Sequence, residues 1–154
     1  MTSLAFLSAL GSGMVAGVFF AFSAFIMAGL ARLPAPQGIA AMQSINITVI
    51  NPVFMAVFLG TAVLSAAMIV LALLNWSDPR AVKLLAGGLL YLIGAIGVTL
   101  ACNVPLNNAL AAATPDSAEA ANLWARYLSV WTTWNHVRGL AALAAAAMFT
   151  WGWR

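Results

Sequence analysis

Charged residues are scarce in this chain of 154 residues, which has six Lys and Arg residues and three Asp and Glu residues. Only 6 % of the residues are charged and 64 % are apolar, a composition far from that of soluble domains. The chain has no basic patch with interleaved aromatic residues, so a nucleic-acid partner is not indicated. The scarcity of charge predicts a protein that lies almost entirely in or against a lipid bilayer.

Cysteine and histidine each occur once, as Cys102 and His136. A single cysteine excludes a disulfide and a cysteine-based metal cluster within one subunit. Because a second histidine and an inward-facing carboxylate are lacking, we expect no tightly held metal. A Gly-rich phosphate-binding loop and a Ser-His-Asp order are lacking as well, so phosphate and triad chemistry are not indicated.

Four apolar runs approach or exceed the roughly 20 residues that a helix needs to cross a bilayer. The runs cover residues 4–30, 53–74, 84–102 and 134–153. Each run predicts a transmembrane helix, because backbone polar groups find no hydrogen-bonding partner in lipid. We therefore expect one transmembrane domain over residues 1–154, folded as an all-α antiparallel four-helix bundle.

Local signals mark the ends of further helices. Pro36 and the helical spacing of apolar residues over 39–49 predict a short interfacial helix between spans one and two. Pro52 suits the first turn of the second span. Asp116, followed three residues later by Glu119, predicts the start of the last helix, outside the membrane.

The first apolar run lacks a basic region before it and is too long for a signal peptide, so we expect it to remain as the first span. The Lys and Arg counts of the loops favour cytoplasmic termini, and we expect an integral protein of a bacterial inner membrane. Gly13, Gly17 and Ala21 recur every four residues. This spacing predicts a seam for close packing of another helix, which would also permit a homo-oligomer.

Polar side chains are concentrated at one end of the expected bundle. They are Asn46, Asn51, Asn103, Asn107, Asn135, His136 and Arg138. Asn103 and Asn107 share one helix face, and so do Asn135 and Arg138, because residues three or four apart are neighbours on a helix. Ionisable groups at such depth usually face a bundle interior or a wet cavity and mark function.

Each of these residues also has an ordinary structural interpretation. A lone histidine near the interface is more often packed or snorkelling than catalytic, and an arginine can snorkel to lipid headgroups. Asparagines at helix ends often only cap the helix. The convergence of all of them at one end is what predicts a functional site.

The chemistry of this set favours metal-free proton transfer. His136 can take a proton near neutral pH, and Arg138 with asparagine amides can stabilise a forming oxyanion or enolate. The set therefore indicates chemistry on an apolar, enolisable substrate.

Five stretches resemble the anthrone-oxygenase-like family of small membrane proteins, many of which are catalogued only as a domain of unknown function. The stretches are residues 17–23, 38–46, 51–52, 103–107 and 131–138. They occur in the same order and with matching spacing, so the resemblance covers nearly the whole chain. The last two stretches are the more specific ones.

The resemblance implies a four-helix membrane protein that oxidises anthrones to anthraquinones with molecular oxygen and no cofactor. It implies that His136 removes the benzylic proton and that Arg138 stabilises the enolate with help from asparagines. The catalytic candidates are thus His136, Arg138, Asn103, Asn107 and Asn135. The candidates for contacts with a flat substrate are Trp131, Trp134, Phe22, Asn46 and Asn51.

Two alternatives stay open. One is a non-enzymatic membrane protein whose polar end holds a quinone, a lipid or a protein partner. The other is an enzyme that uses a metal shared between subunits, with His136 and methionine side chains as ligands.

Overall fold

The computed structural model describes residues 1–153, which form five continuous helices and no β-strand. The helices are α1 (Thr2–Leu30), α2 (Ala35–Thr48), α3 (Pro52–Leu74), α4 (Ala81–Ala111) and α5 (residues 118–153). The all-α prediction is therefore confirmed.

Three of the helices, α1, α3 and α4, are long and apolar enough to cross a membrane. Helix α5 spans residues 118–153 but is not among these three. Its apolar half is interrupted by Asn135, His136 and Arg138, which lower its mean hydropathy. The length and composition of α1, α3 and α4 fit an integral membrane protein.

Helix α4 is longer than the apolar run over 84–102 and continues through Pro105. Residues Thr99–Asn103 form a π-helical turn, and α-helical geometry resumes at Val104 with Pro105 in its first turn. A proline there costs little, because the first turn of an α-helical segment needs no donor from its N–H groups. The π-helical turn therefore lets the helix pass a residue that would otherwise end it.

The start of α5 lies close to the predicted position but has a different cap. The hydroxyl of Ser117 accepts a hydrogen bond from the backbone N–H of Ala120 at 3.1 Å, so Ser117 is the N-cap residue. Asp116, which was predicted to mark the start of this helix, precedes the N-cap residue by one position. Glu119, the second residue of that prediction, lies in the first turn.

The contacts between helices show their relative directions. The Phe6 and Trp153 rings lie 5.4 Å apart at one end of α1 and α5, and Ser23 contacts Asn135 at the other end. These two helices therefore run in opposite directions. Helices α3 and α4 also run in opposite directions. Tyr91 of α4 donates to the carbonyl of Phe58 at 3.0 Å, whereas Gly88, which comes earlier in α4, packs against Ser65 and Ile69, which come later in α3.

Glycines allow the closest helix contacts, but not at the predicted positions. A Cβ atom added to Gly11 would collide with the side chain of Thr61, and one added to Gly87 would lie 2.9 Å from the Phe149 ring. By contrast, nothing lies within 4 Å of a Cβ added to Gly13 or Gly17. Gly13 and Gly17 on α1 thus have no close neighbour in this chain. Gly11 is the glycine that allows α1 to approach α3 closely.

Helix α2 covers one end of the long helices. The amide nitrogen of Gln43 donates to the backbone carbonyls of Leu110 at 2.8 Å and Ala113 at 3.1 Å. These bonds tie α2 to the end of α4, where the Leu110 carbonyl also accepts from the backbone N–H of Ala113 at 3.2 Å. Ile39 and Met42 of α2 are buried in an apolar cluster with residues of α4 and α5, so α2 is anchored over this end.

The opposite end carries an ion pair in the turn between α3 and α4. The Arg80 guanidinium donates to the Asp78 carboxylate at 2.8 Å, and the backbone N–H of Arg80 donates to the same carboxylate at 2.9 Å. The side-chain and then the backbone hydrogen bonds from Arg80 lower the pKa of Asp78 to about 2. Both side chains are partly exposed, so the pair contributes little to stability.

Candidate functional site

A cavity of about 300 Å³ lies beneath α2, and all five helices contribute to its wall. This volume is at the lower end of the about 300–1,000 Å³ that is common for small-molecule sites. The wall is mostly apolar. Its polar residues are Asn46, Thr99, Asn107 and Arg138, and its aromatic residues are Phe19, Phe22, Phe54, Phe58 and Trp131.

Arg138 is the only charged residue among the described residues of this wall, and it is 7 % exposed. Its Nη1 donates to the hydroxyl of Thr99 at 3.1 Å. Its Nε and Nη2 donate to Oδ1 of Asn135 at 3.0 and 2.8 Å. All of these partners are neutral, and within residues 1–153 the one ion pair is Arg80 with Asp78. The positive charge of Arg138 is therefore buried without a compensating carboxylate, an arrangement that costs free energy.

Aromatic rings give the Arg138 charge part of its stabilisation. Its Cζ atom lies 4.0 Å from the ring centroid of Phe19 and 5.0 Å from that of Trp131. Both distances are within the range of favourable cation–π contacts. The rings also fix the plane of the guanidinium, which orients its remaining N–H groups.

Asn135 holds Arg138 in place through α1. Its amide nitrogen donates to the backbone carbonyl of Phe19 and to the hydroxyl of Ser23, both at 2.7 Å. Because a carbonyl can only accept and a guanidinium can only donate, the orientation of the Asn135 amide is unambiguous. Asn135 is fully buried and does not line this cavity, and its side chain is hydrogen-bonded to the arginine and to α1.

A second network joins Asn107 to α5. Oδ1 of Asn107 accepts from the hydroxyl of Tyr127 and from Nε1 of Trp131, both at 2.7 Å. Asn46 of α2 donates to the same tyrosine hydroxyl at 3.4 Å. The Asn107 amide nitrogen has no partner among the described residues, and Asn107 lines the cavity. Its amide nitrogen is therefore a free donor at the cavity wall.

Asn103 supports the wall from behind. It is fully buried, and its amide nitrogen donates to the backbone carbonyl of Trp131 at 3.1 Å. Its Oδ1 has no hydrogen-bond partner in the described part of the chain. Asn103 does not line the cavity, so it acts on the site through Trp131.

Three π-helical turns surround the cavity, over Phe22–Ile26 in α1, Thr99–Asn103 in α4 and Tyr127–Trp131 in α5. Such turns are rare, occur frequently at functional sites, and change the direction in which the following side chains point. Residues of all three turns contact the cavity or the networks around Arg138. A fourth π-helical segment, Leu90–Gly97 of α4, contributes no residue to the cavity wall.

His136 lies apart from this cavity. Its side chain is exposed and faces a separate groove of about 270 Å³ that also contains Gly13, Gly17 and Gly139. Since each residue turns a helix by about 100°, His136 and Arg138 lie about 200° apart on α5. The structure thus separates the imidazole and the guanidinium that the sequence analysis placed in one site.

Two other candidates lie outside both the cavity wall and the networks that support it. Asn51 is the N-cap of α3, where Oδ1 accepts from the N–H of Phe54 at 3.0 Å and the amide nitrogen donates to the carbonyl of Thr48 at 3.0 Å. Trp134 is 38 % exposed on the outer face of α5. The other candidates, Phe22, Asn46, Asn103, Asn107, Trp131, Asn135 and Arg138, belong to the cavity wall or to the networks that support it.

Sequence reasoning missed four participants, Phe19, Ser23, Thr99 and Tyr127. Tyr127 had a detectable signal, because Trp124, Tyr127 and Trp131 recur at helical spacing. In the structure Tyr127 stacks between the two tryptophans, with ring centroids 5.7 and 5.5 Å away. Phe19 and Ser23 lie in the stretch 17–23 that resembles the family but were not chosen as candidates. Thr99 had no such signal, since hydroxyl side chains are common in membrane helices.

The fold and the cavity define the class of protein. It is a helical protein with helices long and apolar enough to cross a membrane, and with an arginine buried against aromatic rings. A family model described as anthrone oxygenase matches residues 54–148, well over half of the chain. The chain therefore belongs to the anthrone oxygenase family. The match contains Asn107, Trp131 and Arg138. No curated protein and no solved structure matches the chain.

Proposed function

We propose that this protein is a cofactor-independent oxygenase that converts anthrone-like aromatic ketones to quinones with molecular oxygen. The observation that carries the proposal is the buried, uncompensated charge of Arg138 in an aromatic cavity. The family match supports the reaction class.

The charge of Arg138 suits an anion that forms only during the reaction. Its three hydrogen bonds to Thr99 and Asn135 leave further N–H groups of the guanidinium free. These groups and the free amide nitrogen of Asn107 are available to an enolate oxygen. Donors that are fixed before the reaction stabilise such an anion strongly, because they need no reorganisation.

The aromatic wall suits a flat substrate. Phe54 and Phe58 lie parallel, with centroids 5.6 Å apart, and Phe22 meets Trp131 edge to face at 5.8 Å. Offset stacking and edge contacts with such rings stabilise a bound ring system beyond the burial of its surface.

The proposed reaction begins with loss of a proton from the ring CH₂ group, which leaves an enolate beside Arg138. The enolate gives one electron to oxygen, and the resulting carbon radical and superoxide combine to form a carbon-bound peroxide anion. This anion takes up a proton, and loss of water with the second ring hydrogen leaves the quinone carbonyl. One ketone and one oxygen molecule thus yield one quinone and one water.

Solvent is the proposed proton acceptor. Neither an imidazole nor a carboxylate occurs among the described residues of the cavity wall, and His136 faces the opposite side of α5. Arg138 makes the proton easier to lose because it stabilises the conjugate base. His136 therefore has no part in this proposal.

We also propose how the chain lies in the membrane. Helices α1, α3 and α4 and residues 134–153 of α5 cross a bacterial inner membrane as an antiparallel four-helix bundle, with α2 at the interface. Opposite directions of neighbouring helices support this arrangement. The termini lie on the cytoplasmic side together with Arg80 and Lys83, in keeping with the positive-inside rule.

The test is oxygen consumption by the purified protein with an anthrone, with and without a chelator. The proposal predicts oxygen uptake, quinone formation in equal amount, and no effect of the chelator. Loss of activity with the chelator would favour the metal shared between subunits. Binding of a quinone without any turnover would favour the non-enzymatic alternative.

A further inference from the structure

Three apolar side chains both line the cavity and face the outside of the molecule. They are Ile50, Leu59 and Leu100, which are 71 %, 52 % and 63 % exposed. We call this place the α3–α4 opening. A residue that borders a cavity and is also mostly exposed lies at a point where the cavity reaches the surface.

The opening has a cause in helix packing. Helix α3 packs closely against α4 along residues 81–97, but this close packing ends before residues 99–111. There α2 packs against the last part of α4 and against the first part of α5 instead. The two helices therefore separate beside the cavity, and α2 covers the end of the gap rather than its side.

The surface around the opening is apolar. Leu59 lies about 10 Å along α3 from Pro52 by the helical rise of 1.5 Å per residue. Val63, one turn further along the same face of this helix, is also exposed. In the proposed bundle the side chains of Leu59, Val63 and Leu100 contact lipid chains, because they are apolar and exposed.

We propose that an apolar aromatic ligand enters the cavity sideways from the bilayer, between α3 and α4, past Leu59 and Leu100. The ring system slides between these side chains and its carbonyl meets Arg138 at the inner end. This inference rests on the proposed function, since it assumes that the cavity binds a flat aromatic ketone or quinone. It also explains how a poorly water-soluble substrate reaches a buried arginine.

The test follows the binding of a fluorescent dihydroxyanthraquinone to the full chain in lipid nanodiscs by stopped flow. Leu100→Trp narrows the opening. Ile93→Trp is the matched control, because Ile93 is on the same helix and 66 % exposed but does not line the cavity. We expect Leu100→Trp to slow both association and dissociation about tenfold, because it raises the barrier to passage through the opening and leaves the affinity unchanged. Ile93→Trp should match the unmodified chain.

A second measurement needs no variant. If the ligand enters from the bilayer, the association rate at a fixed aqueous probe concentration rises with the partitioning of the probe into the lipid, which is varied through the lipid composition of the nanodiscs. An association rate that depends on the aqueous probe concentration alone, whatever the lipid, would overturn the lateral entrance. So would a Leu100→Trp variant with unchanged rates, or one with unchanged association and faster dissociation, which would make Leu100 a contact of the bound state. Absence of any binding to the unmodified chain would overturn the proposed function itself.

Discussion

Replacement of Arg138 by glutamine tests the electrostatic part of the mechanism. The guanidinium is 7 % exposed and donates three hydrogen bonds to neutral partners, so the substitution removes the only charge that the described cavity wall offers to an enolate. At an effective dielectric constant of about 20, a charge pair about 4 Å apart interacts by about 4 kcal/mol. A loss of this size corresponds to about a thousandfold decrease in kcat/KM.

Arg138→Lys separates charge from geometry. A lysine keeps the positive charge, but it lacks the planar guanidinium that donates hydrogen bonds to Thr99 and Asn135 at the same time. We expect this variant to lose about ten- to a hundredfold in kcat/KM, less than the glutamine variant. The matched control is Arg126→Gln, which removes an exposed arginine from the same helix and should leave the rate unchanged.

The assay is quinone formation followed by absorbance, with the oxygen electrode as a second readout. Loss of Arg138 leaves Oδ1 of Asn135 and the hydroxyl oxygen of Thr99 without the hydrogen bonds that they accept from it, which can destabilise the fold. Thermal unfolding of each variant in detergent therefore shows whether the helices remain folded. A folded Arg138→Gln variant that keeps more than about a third of the normal kcat/KM would refute the role given to this arginine.

Three further outcomes are expected elsewhere in the chain. His136→Ala should change kcat/KM less than about twofold, because His136 faces a different groove; a large loss measured in the same quinone assay would return this histidine to the mechanism. Asn51→Ala should destabilise the fold by about 1 kcal/mol through loss of the α3 cap, seen as a lower Tm with an unchanged rate per folded protein, and an unchanged Tm would contradict it. The pKa of Asp78 is lowered to about 2 in the folded protein, from 3.8 in the unfolded chain. Its small contribution to stability is therefore complete at pH values above the unfolded-state pKa and is lost as the pH falls through the folded-state pKa. Asp78→Asn should therefore reduce the acid dependence of Tm in that range, and an unchanged dependence would show that its pair with Arg80 has no effect.

Much of the fold was predictable because apolar length and helix signals are local properties. The runs over 4–30, 53–74 and 84–102 correspond to α1, α3 and α4, although α4 extends to Ala111. The extension was not predictable, because it depends on the π-helical turn before Pro105. Hydrophobic periodicity does not reveal where a helix widens by one residue.

The sequence indicated which residue types would converge but not what each side chain would contact. Asn135 and Arg138 share hydrogen bonds because their helical spacing places them on one face. Asn103 and Asn107 have the same kind of spacing, yet only Asn107 lines the cavity. His136 was grouped with them because it lies at the same end and can accept a proton, but its two-residue offset from Arg138 turns it to the other side of α5. Asn51 was grouped with them by its position near a helix end, where the hydrogen bonds of the cap use its side chain.

The most direct test of the account is the ionisation of a bound anthrone without oxygen. The wild-type protein in nanodiscs is titrated with base under nitrogen, and the absorbance of the enolate is recorded. The account predicts that the bound ketone ionises at a pH at least about one unit lower than the free ketone in the same lipid, and that Arg138→Gln abolishes this difference. A bound ketone that ionises at the same pH as the free one, or a shift that survives Arg138→Gln, would contradict the claim that Arg138 stabilises the enolate.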